Sequence, residues 1–172
     1  MSQPTKVSLK SSSLAPVRLQ KTGPLLLAGK RKHYTSSTRS QIAQLWHEVG
    51  PHFGKLASQV GKIGYGVGIS TSEDSDEFDY MAAAEVSNVQ SLPPQWTHLK
   101  IPAQRYAVFP HEGKASEISG TVQEIFQNWL PNSGYEHAEG RNDQPDFLEH
   151  YGEGYDVATG QGDIEIWLPV KG

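Results

Sequence analysis

The sequence predicts an α+β fold made of two β–α–β–β units, which a pseudo-twofold axis relates. Two stretches, residues 36–50 and 116–130, carry apolar residues at the spacing of an amphipathic helix. Each stretch is preceded by an apolar strand that starts after a proline bend, and is followed by two segments that alternate with period two. Helices of this kind pack on one face of an antiparallel sheet. We therefore expect a duplicated fold with a central ligand cleft between its halves.

Landmarks in the two halves recur at nearly the same distance. Trp46 and Trp129, near the ends of the two helical stretches, are 83 residues apart. Val86 and Val170, which end the last strand of each half, are 84 residues apart. This spacing favours an internal duplication, and a chance likeness between two ordinary αβ hairpins is the alternative.

The length of 172 residues is typical of one domain. Residues 1–15 are rich in Ser and Lys and predict a flexible N-terminal tail. Residues 16–172 then form a single domain, with half one at about 16–87 and half two at about 96–172.

The composition excludes several classes of function. The sequence has no cysteine, which removes disulfides, thiolate catalysis and Cys-ligated zinc. The net charge of −4 argues against a general nucleic-acid-binding surface. The longest apolar run, Leu25 to Ala28, is far too short to span a bilayer, and the N-terminus lacks the apolar core of a signal peptide. We expect a soluble cytoplasmic protein that does not bind membranes.

The strand from Ile63 to Ser70 alternates glycine with bulky residues, so that all its bulk lies on one face. A glycine row of this kind lets a neighbouring helix or a ligand approach the sheet. An acidic turn, Thr71 to Glu77, leads to a strand from Phe78 to Val86.

The last strand, from Gly162 to Val170, carries the strongest sign of a site. Its aliphatic residues fall on one face, while Glu165 and Trp167 fall on the other. A carboxylate beside a large aromatic ring is unusual on a solvent-facing strand, so we expect this face, away from the helices, to line the cleft. In the alternative, Glu165 is exposed or caps a turn, and Trp167 belongs to the core.

Candidate ligand-binding residues follow from the positions that face the axis between the halves. They are Glu165, Trp167, Tyr151, Glu149, Phe147, Tyr65 and Met81. One or two carboxylates among aromatic rings suit a hydrophobic cation, because each ring adds a cation–π attraction of roughly 0.5–2 kcal/mol.

Other motifs fail on spacing, and we expect neither a metal nor a cofactor. His47 and His52 are five residues apart with Gly50-Pro51 between them, whereas a zinc-protease helix needs a spacing of four. The glycine row lies within a strand and has no phosphate-binding turn behind it. His111 follows a strand and is interpreted as a turn residue.

Several segments resemble the GyrI-like family, the effector-binding domain of AraC-type and MerR-type multidrug regulators, which also occurs alone as the DNA gyrase inhibitory protein. The segments are Phe78–Val86, Tyr106–Gly113, Trp129–Glu136, Phe147–Tyr151 and Glu165–Val170. The resemblance runs from about Pro16 to Val170 and implies the same duplicated fold, in which an acid in an aromatic cleft meets amphipathic cations.

The resemblance assigns the role of the acid first to Glu165, with Trp167 beside it, and second to Glu149. The family's strand motif usually reads Phe-Glu-x-Tyr, whereas here Leu148 stands between Phe147 and Glu149, which leaves the facing of Glu149 open. Family regulators carry a helix-turn-helix module before this domain, and about 15 residues cannot form one. We therefore expect no direct DNA binding.

The sequence thus predicts a stand-alone binding domain for hydrophobic, cationic small molecules. Two alternatives remain: a hydrolase of reactive small molecules that uses the cleft acid as a general base, and a gyrase-inhibitor-like protein-interaction module. A homodimer would cover the edges of the sheet.

Overall fold

The computed structural model describes residues 14–70, 76–138 and 144–171. Most of the predicted tail and most of the acidic turn, at residues 1–13 and 71–75, lie outside the described residues.

The described residues form eight strands and two helical segments. The first half contains β1 (Arg18–Thr22), β2 (Leu25–Thr35), α1 (Ile42–Val49), β3 (Gln59–Ser70) and β4 (Glu77–Val86). The second half contains β5 (Thr97–Ile101), β6 (Gln104–His111), α2 (Ile118–Glu124), β7 (Phe147–Tyr151) and β8 (Ile164–Val170). A π-helical turn (Ile125–Trp129) and a last α-helical turn, α3 (Leu130–Ser133), extend α2.

All eight strands belong to one antiparallel sheet in the order β1-β6-β8-β7-β3-β4-β2-β5. If each strand of the first half is exchanged with its counterpart in the second half (β1 with β5, β2 with β6, β3 with β7 and β4 with β8), the same order is obtained in reverse. The register shows the same symmetry. Leu25, which begins β2, pairs with Ile101, which ends β5, and Gln104, which begins β6, pairs with Thr22, which ends β1. The predicted fold class is therefore confirmed, and the axis passes between β3 and β7. Each half has one strand more than predicted, because the bend divides its first strand into two.

The sheet is curled, and its two faces bury different cores. Residues from strands near opposite ends of the sheet, such as Leu99 on β5 and Tyr106 on β6, belong to one cluster. Residues near opposite ends of one sheet can belong to one cluster only if the sheet bends, so the face that carries this cluster is concave. The helices lie on the other face, where α1 and α2 each cover a separate cluster.

Both α-helices begin later than the predicted stretches 36–50 and 116–130, at Ile42 and Ile118. α1 buries Leu45 and Val49 against the sheet and leads into a 3-10 turn at Gly50–His52. The second helix extends through Pro131 to Ser133, and Gly134 ends it in the left-handed conformation, with φ of 82°. Because Pro131 has no amide hydrogen, the α-helical bonding pattern is interrupted near it, and a π-helical turn precedes it.

Candidate functional site

Glu149 lies at the centre of the sheet, on the face that the helices cover. It is paired with Gly66 of β3 on one side and with Ile166 of β8 on the other. Only 7% of its surface is exposed. The acid thus stands beside the pseudo-twofold axis, but on the face opposite to the one where the sequence predicts a cleft.

Two tyrosine hydroxyls donate hydrogen bonds to the same carboxylate oxygen of Glu149. Tyr80 Oη lies 2.6 Å from Oε1, and Tyr151 Oη lies 2.8 Å from it. The indole Nε1 of Trp46, on α1, donates in turn to Tyr80 Oη at 3.0 Å. A chain of neutral donors therefore orients the carboxylate and ties it to the first helix.

The glycine row of β3 makes this arrangement possible. A Cβ atom on Gly66 would overlap both Tyr80 Oη and Glu149 Oε1. The groups that occupy the space over the row are the rings of Trp46 and Phe53 at Gly64, Tyr80 and Glu149 at Gly66, and the Phe147 ring at Gly68. The missing side chains therefore leave room for the acid and its aromatic neighbours.

Aromatic rings surround the two tyrosines. The ring centroids of Trp46 and Tyr151 are 5.2 Å apart, and those of Tyr151 and Tyr155 are 4.9 Å apart, both in edge-to-face geometry. Phe53 packs edge-on against Trp46, with centroids at 6.1 Å. Trp46, Phe53 and Tyr155 are half-buried, so these rings lie at the outer side of the site.

Burial raises the pKa of Glu149 above its ordinary value of 4.5, although the hydrogen bonds from Tyr80 and Tyr151 oppose this shift. The pKa values of both tyrosines are raised well above 10, first by burial and then by the charge of Glu149. The hydroxyls therefore keep their protons and act as donors. No described side chain forms an ion pair with Glu149. The site can accept a positive charge that the described protein groups do not supply.

Glu165 lies on the concave face and already has a cationic partner. The Arg18 guanidinium donates to both of its oxygens at 3.1 Å, and Trp167 Nε1 donates to Oε1 at 3.0 Å. Burial alone would raise the pKa of Glu165, but the hydrogen bonds from Arg18 and Trp167 and the charge of Arg18 outweigh it, so that the pKa is lowered. Trp167 is only 4% exposed and packs in the concave core.

The seven candidate residues do not share one face of the sheet, as the sequence predicts, but lie on its two opposite faces. Directly paired residues of neighbouring strands point to the same face. Glu149 pairs with Ile166, whereas Leu148 pairs with Trp167, so the two acids point apart. Phe147, Glu149 and Tyr151 face the helices, and Glu165, Trp167, Tyr65 and Met81 face the concave core.

The sequence did not identify several residues of the Glu149 site. From the sequence, Tyr80 is one position of the strand from Phe78 to Val86, and Trp46 is a landmark of the first helical stretch. The glycine row of β3 was the signal in the sequence that could have indicated this site. Gly66 has no side chain, so the residue paired with it, Glu149, has free space above the neighbouring strand. His111 has a structural role, since its ring nitrogens lie 2.7 Å from Thr121 Oγ1 and from the Lys114 carbonyl oxygen.

Residues 15–171 match the family described as the GyrI-like small molecule binding domain. The chain belongs to this family. The matched family and the fold both agree with the resemblance that the sequence motifs indicate. Within the described residues, no helix combines the length and the apolar character that crossing a membrane requires.

One curated relative is the transcriptional regulator BrlR of Pseudomonas aeruginosa, which is 28% identical over 141 residues. The match covers 81% of this chain and 50% of BrlR, so the chain spans about half the length of that relative. The chain is thus similar to about half of a transcriptional regulator.

Two solved structures share the fold. The structure of SAV2435 bound to tetraphenylphosphonium has a TM-score of 0.63 and 21% identity, and the match covers 90% of this chain and 93% of that one. The structure of an EcmrR–DNA complex has a TM-score of 0.66 and 16% identity, over 99% of this chain and 64% of that one.

Proposed function

We propose that this domain binds hydrophobic organic cations, and that Glu149 is the counter-ion. The observation that carries the proposal is a buried carboxylate in the middle of the sheet, held by two neutral hydroxyls and surrounded by aromatic rings. Glu165, the first candidate from the sequence, is a weaker choice because Arg18 already neutralises it.

The electrostatics of the site favour a cationic ligand. An ionised carboxylate is disfavoured in a poorly hydrated position unless an opposite charge approaches it. A ligand cation would supply that charge, and Trp46, Tyr80 and Tyr151 would add cation–π attraction worth roughly 0.5–2 kcal/mol for each well-placed ring. The likeness in fold to SAV2435, solved with the lipophilic cation tetraphenylphosphonium, supports the same ligand class here.

Entry of a bulky cation requires the outer rings to move. Trp46 and Tyr155 both contact Tyr151, and both are half-buried. Displacing the Trp46 ring would break its hydrogen bond to Tyr80, which links α1 to the acid. Ligand binding would therefore loosen one of the contacts that hold α1 to the sheet.

The test measures binding of tetraphenylphosphonium by calorimetry and thermal shift, with neutral triphenylphosphine oxide and anionic tetraphenylborate as matched ligands. The variant is Glu149→Gln, which keeps an acceptor for both tyrosines but removes the charge. Glu165→Gln is its control on the other face. We expect the cation to stabilise the wild type by about 2.7 kcal/mol at 100 times its dissociation constant, with at least tenfold weaker binding to Glu149→Gln and little change for Glu165→Gln.

Other outcomes separate the alternatives. A loss confined to Glu165→Gln would make Glu165 the counter-ion, and equal binding by all three proteins would remove the role of a carboxylate. A product formed from a bound reactive compound would favour the hydrolase, and inhibition of gyrase without ligand would favour the interaction module.

A further inference from the structure

The two carboxylate oxygens of Glu149 have different surroundings. Oε1 accepts both hydroxyl hydrogen bonds, from Tyr80 at 2.6 Å and from Tyr151 at 2.8 Å. Oε2 accepts no hydrogen bond from the described residues. A carboxylate has about four lone-pair sites, shared between its two oxygens. The described protein groups therefore fill the acceptor capacity of one oxygen and leave that of the other unused.

Oε2 belongs to the part of Glu149 that a ligand can reach. The residue keeps 7% of its surface exposed. Among the described residues, the side-chain polar atoms that are fully buried without a partner belong to Trp96, Tyr106 and His150, and Oε2 is not one of them. Since Oε2 has no partner either, the exposed part of the side chain includes it. Oε1, in contrast, lies over Gly66 and beneath the two hydroxyls.

The hydrogen-bond donors next to the acid are already directed at Oε1 or at each other. Trp46 Nε1 donates to Tyr80 Oη at 3.0 Å, which holds this hydroxyl between the indole and the acid. The ring of Tyr151 is held by edge-to-face contacts with Trp46 and Tyr155. A ligand that covers Oε2 must therefore bring its own donor if this oxygen is to keep a hydrogen bond.

We propose that the site selects cations that carry an N–H group, such as protonated amines, and that this N–H donates to Oε2 of Glu149. The inference rests on the proposed function and narrows its ligand class. A ligand that displaces water from a polar atom loses affinity unless it replaces the hydrogen bond. An N–H on a cation replaces it with a charge-assisted bond, which is about twice as strong as a neutral one. Quaternary ammonium and phosphonium ions have no N–H, so they gain only the charge and ring contacts.

The test compares naphthylmethyl(dimethyl)amine, which is protonated at neutral pH, with its methylated form, naphthylmethyl(trimethyl)ammonium. Both carry one positive charge on the same ring system, and they differ by an N–H in place of a methyl group. Isobutylnaphthalene is the neutral compound of the same shape. Calorimetry with the full chain should give the amine a dissociation constant about tenfold to hundredfold lower than that of the quaternary ion, as one hydrogen bond to a charged group implies. Isobutylnaphthalene should bind more weakly than either cation.

Two variants assign the preference to Oε2. In Glu149→Gln the amide oxygen can still accept from Tyr80 and Tyr151, so the amide nitrogen takes the position of Oε2 and presents a donor to the ligand. The amine should lose its whole advantage there, whereas the quaternary ion should lose only the charge contribution. Tyr151→Phe removes one donor from Oε1 and leaves Oε2 unchanged, so the amine should keep an advantage of about tenfold or more.

The outcomes separate this inference from the proposed function. If the quaternary ion binds as tightly as the amine, and both depend on Glu149, the inference is overturned and the proposed function stands. If wild type and Glu149→Gln bind both cations and isobutylnaphthalene equally, both are overturned. An advantage of the amine that survives Glu149→Gln, or that disappears in Tyr151→Phe, would also overturn the inference, because the deciding acceptor would then not be Oε2.

Discussion

Tyr80 reaches Glu149 across an intervening strand. The two residues stand on β4 and β7, with β3 between them, and their side chains meet at 2.6 Å over Gly66. A side chain on Gly66 would close that path. The position of the acid therefore depends on a residue that contributes no side chain to the site.

Gly66→Ala should destabilise the protein. The added methyl group must push Tyr80 or Glu149 aside, and overpacking of this kind typically lowers the free energy of unfolding by about 1–3 kcal/mol. In a domain of this size each kcal/mol lowers the melting temperature by roughly 2–4 °C, which calorimetry or circular dichroism would measure.

Gly120→Ala is the control for that substitution. Gly120 lies in α2, where an added Cβ meets no atom within 4 Å. Alanine there should stabilise the helix by roughly 0.5–1 kcal/mol. The two glycine replacements are expected to have opposite signs, and a neutral Gly66→Ala would show that the site has more room than its geometry implies.

The two acids should give opposite pH dependence of stability. A carboxyl group whose pKa is raised on folding, as burial does for Glu149, stabilises the fold below its unfolded pKa, and this contribution is lost as the pH rises through the folded pKa. Glu149→Gln should therefore gain stability relative to the wild type as the pH increases from the unfolded pKa, roughly 4.3, through the raised folded pKa, measured by urea unfolding.

Glu165→Gln should show the reverse trend. The pKa of Glu165 is lowered, so its stabilising contribution is present above the unfolded pKa and is lost as the pH falls through the folded pKa. This variant should lose stability relative to the wild type as the pH increases through the unfolded pKa, roughly 4.3. Parallel curves for the two variants would contradict the assignment of their environments.

Affinity for organic cations should depend on pH through Glu149. Since burial raises its pKa, the carboxyl group takes up a proton at a higher pH than an exposed glutamate does, and protonation removes the counter-ion. Cation binding should weaken as the pH falls through that raised pKa, and binding near it should release protons. Calorimetry in buffers of different ionisation enthalpy would measure the release, and triphenylphosphine oxide should show neither effect.

The ion pair of Arg18 and Glu165 should contribute modestly to stability. The Arg18 side chain is 41% exposed, so solvent screens the pair even though both hydrogen bonds are formed. A double-mutant cycle with Arg18→Gln and Glu165→Gln should give a coupling energy of about 0.2–1 kcal/mol. Added salt should reduce the coupling, and a salt-independent value would mean that packing on Trp167 dominates.

The periodicity of the sequence was sufficient to predict the α+β fold, because helical and strand spacings change at well-marked bends. The duplication was also visible, in the matched positions of Trp46 and Trp129. The facing of each strand relative to the helices could not be derived in the same way. The alternation of side chains along β8 places Glu165 and Ile166 on opposite faces. Only the pairing of Ile166 with Glu149 shows that Ile166, and not Glu165, faces the helices.

The choice between the two acids depended on partners that are distant in sequence. Arg18 is 147 residues away from Glu165, and no local pattern indicates that it neutralises this acid. Similarly, Tyr80 is 69 residues from Glu149. The aromatic and acidic composition of the site was thus predictable, whereas the assignment of the unpaired acid required the sheet register.

Gly66 and Glu149 face each other beside the axis that relates the two halves. If a single half paired with an identical copy, the same residue would stand on both sides of this axis. Two glutamates would repel each other there, and two glycines would provide no charge. Joining both halves in one polypeptide lets one copy supply the carboxylate while the other supplies the space for it. Such a chain places a single carboxylate beside the axis, and we therefore expect it to bind one cation there.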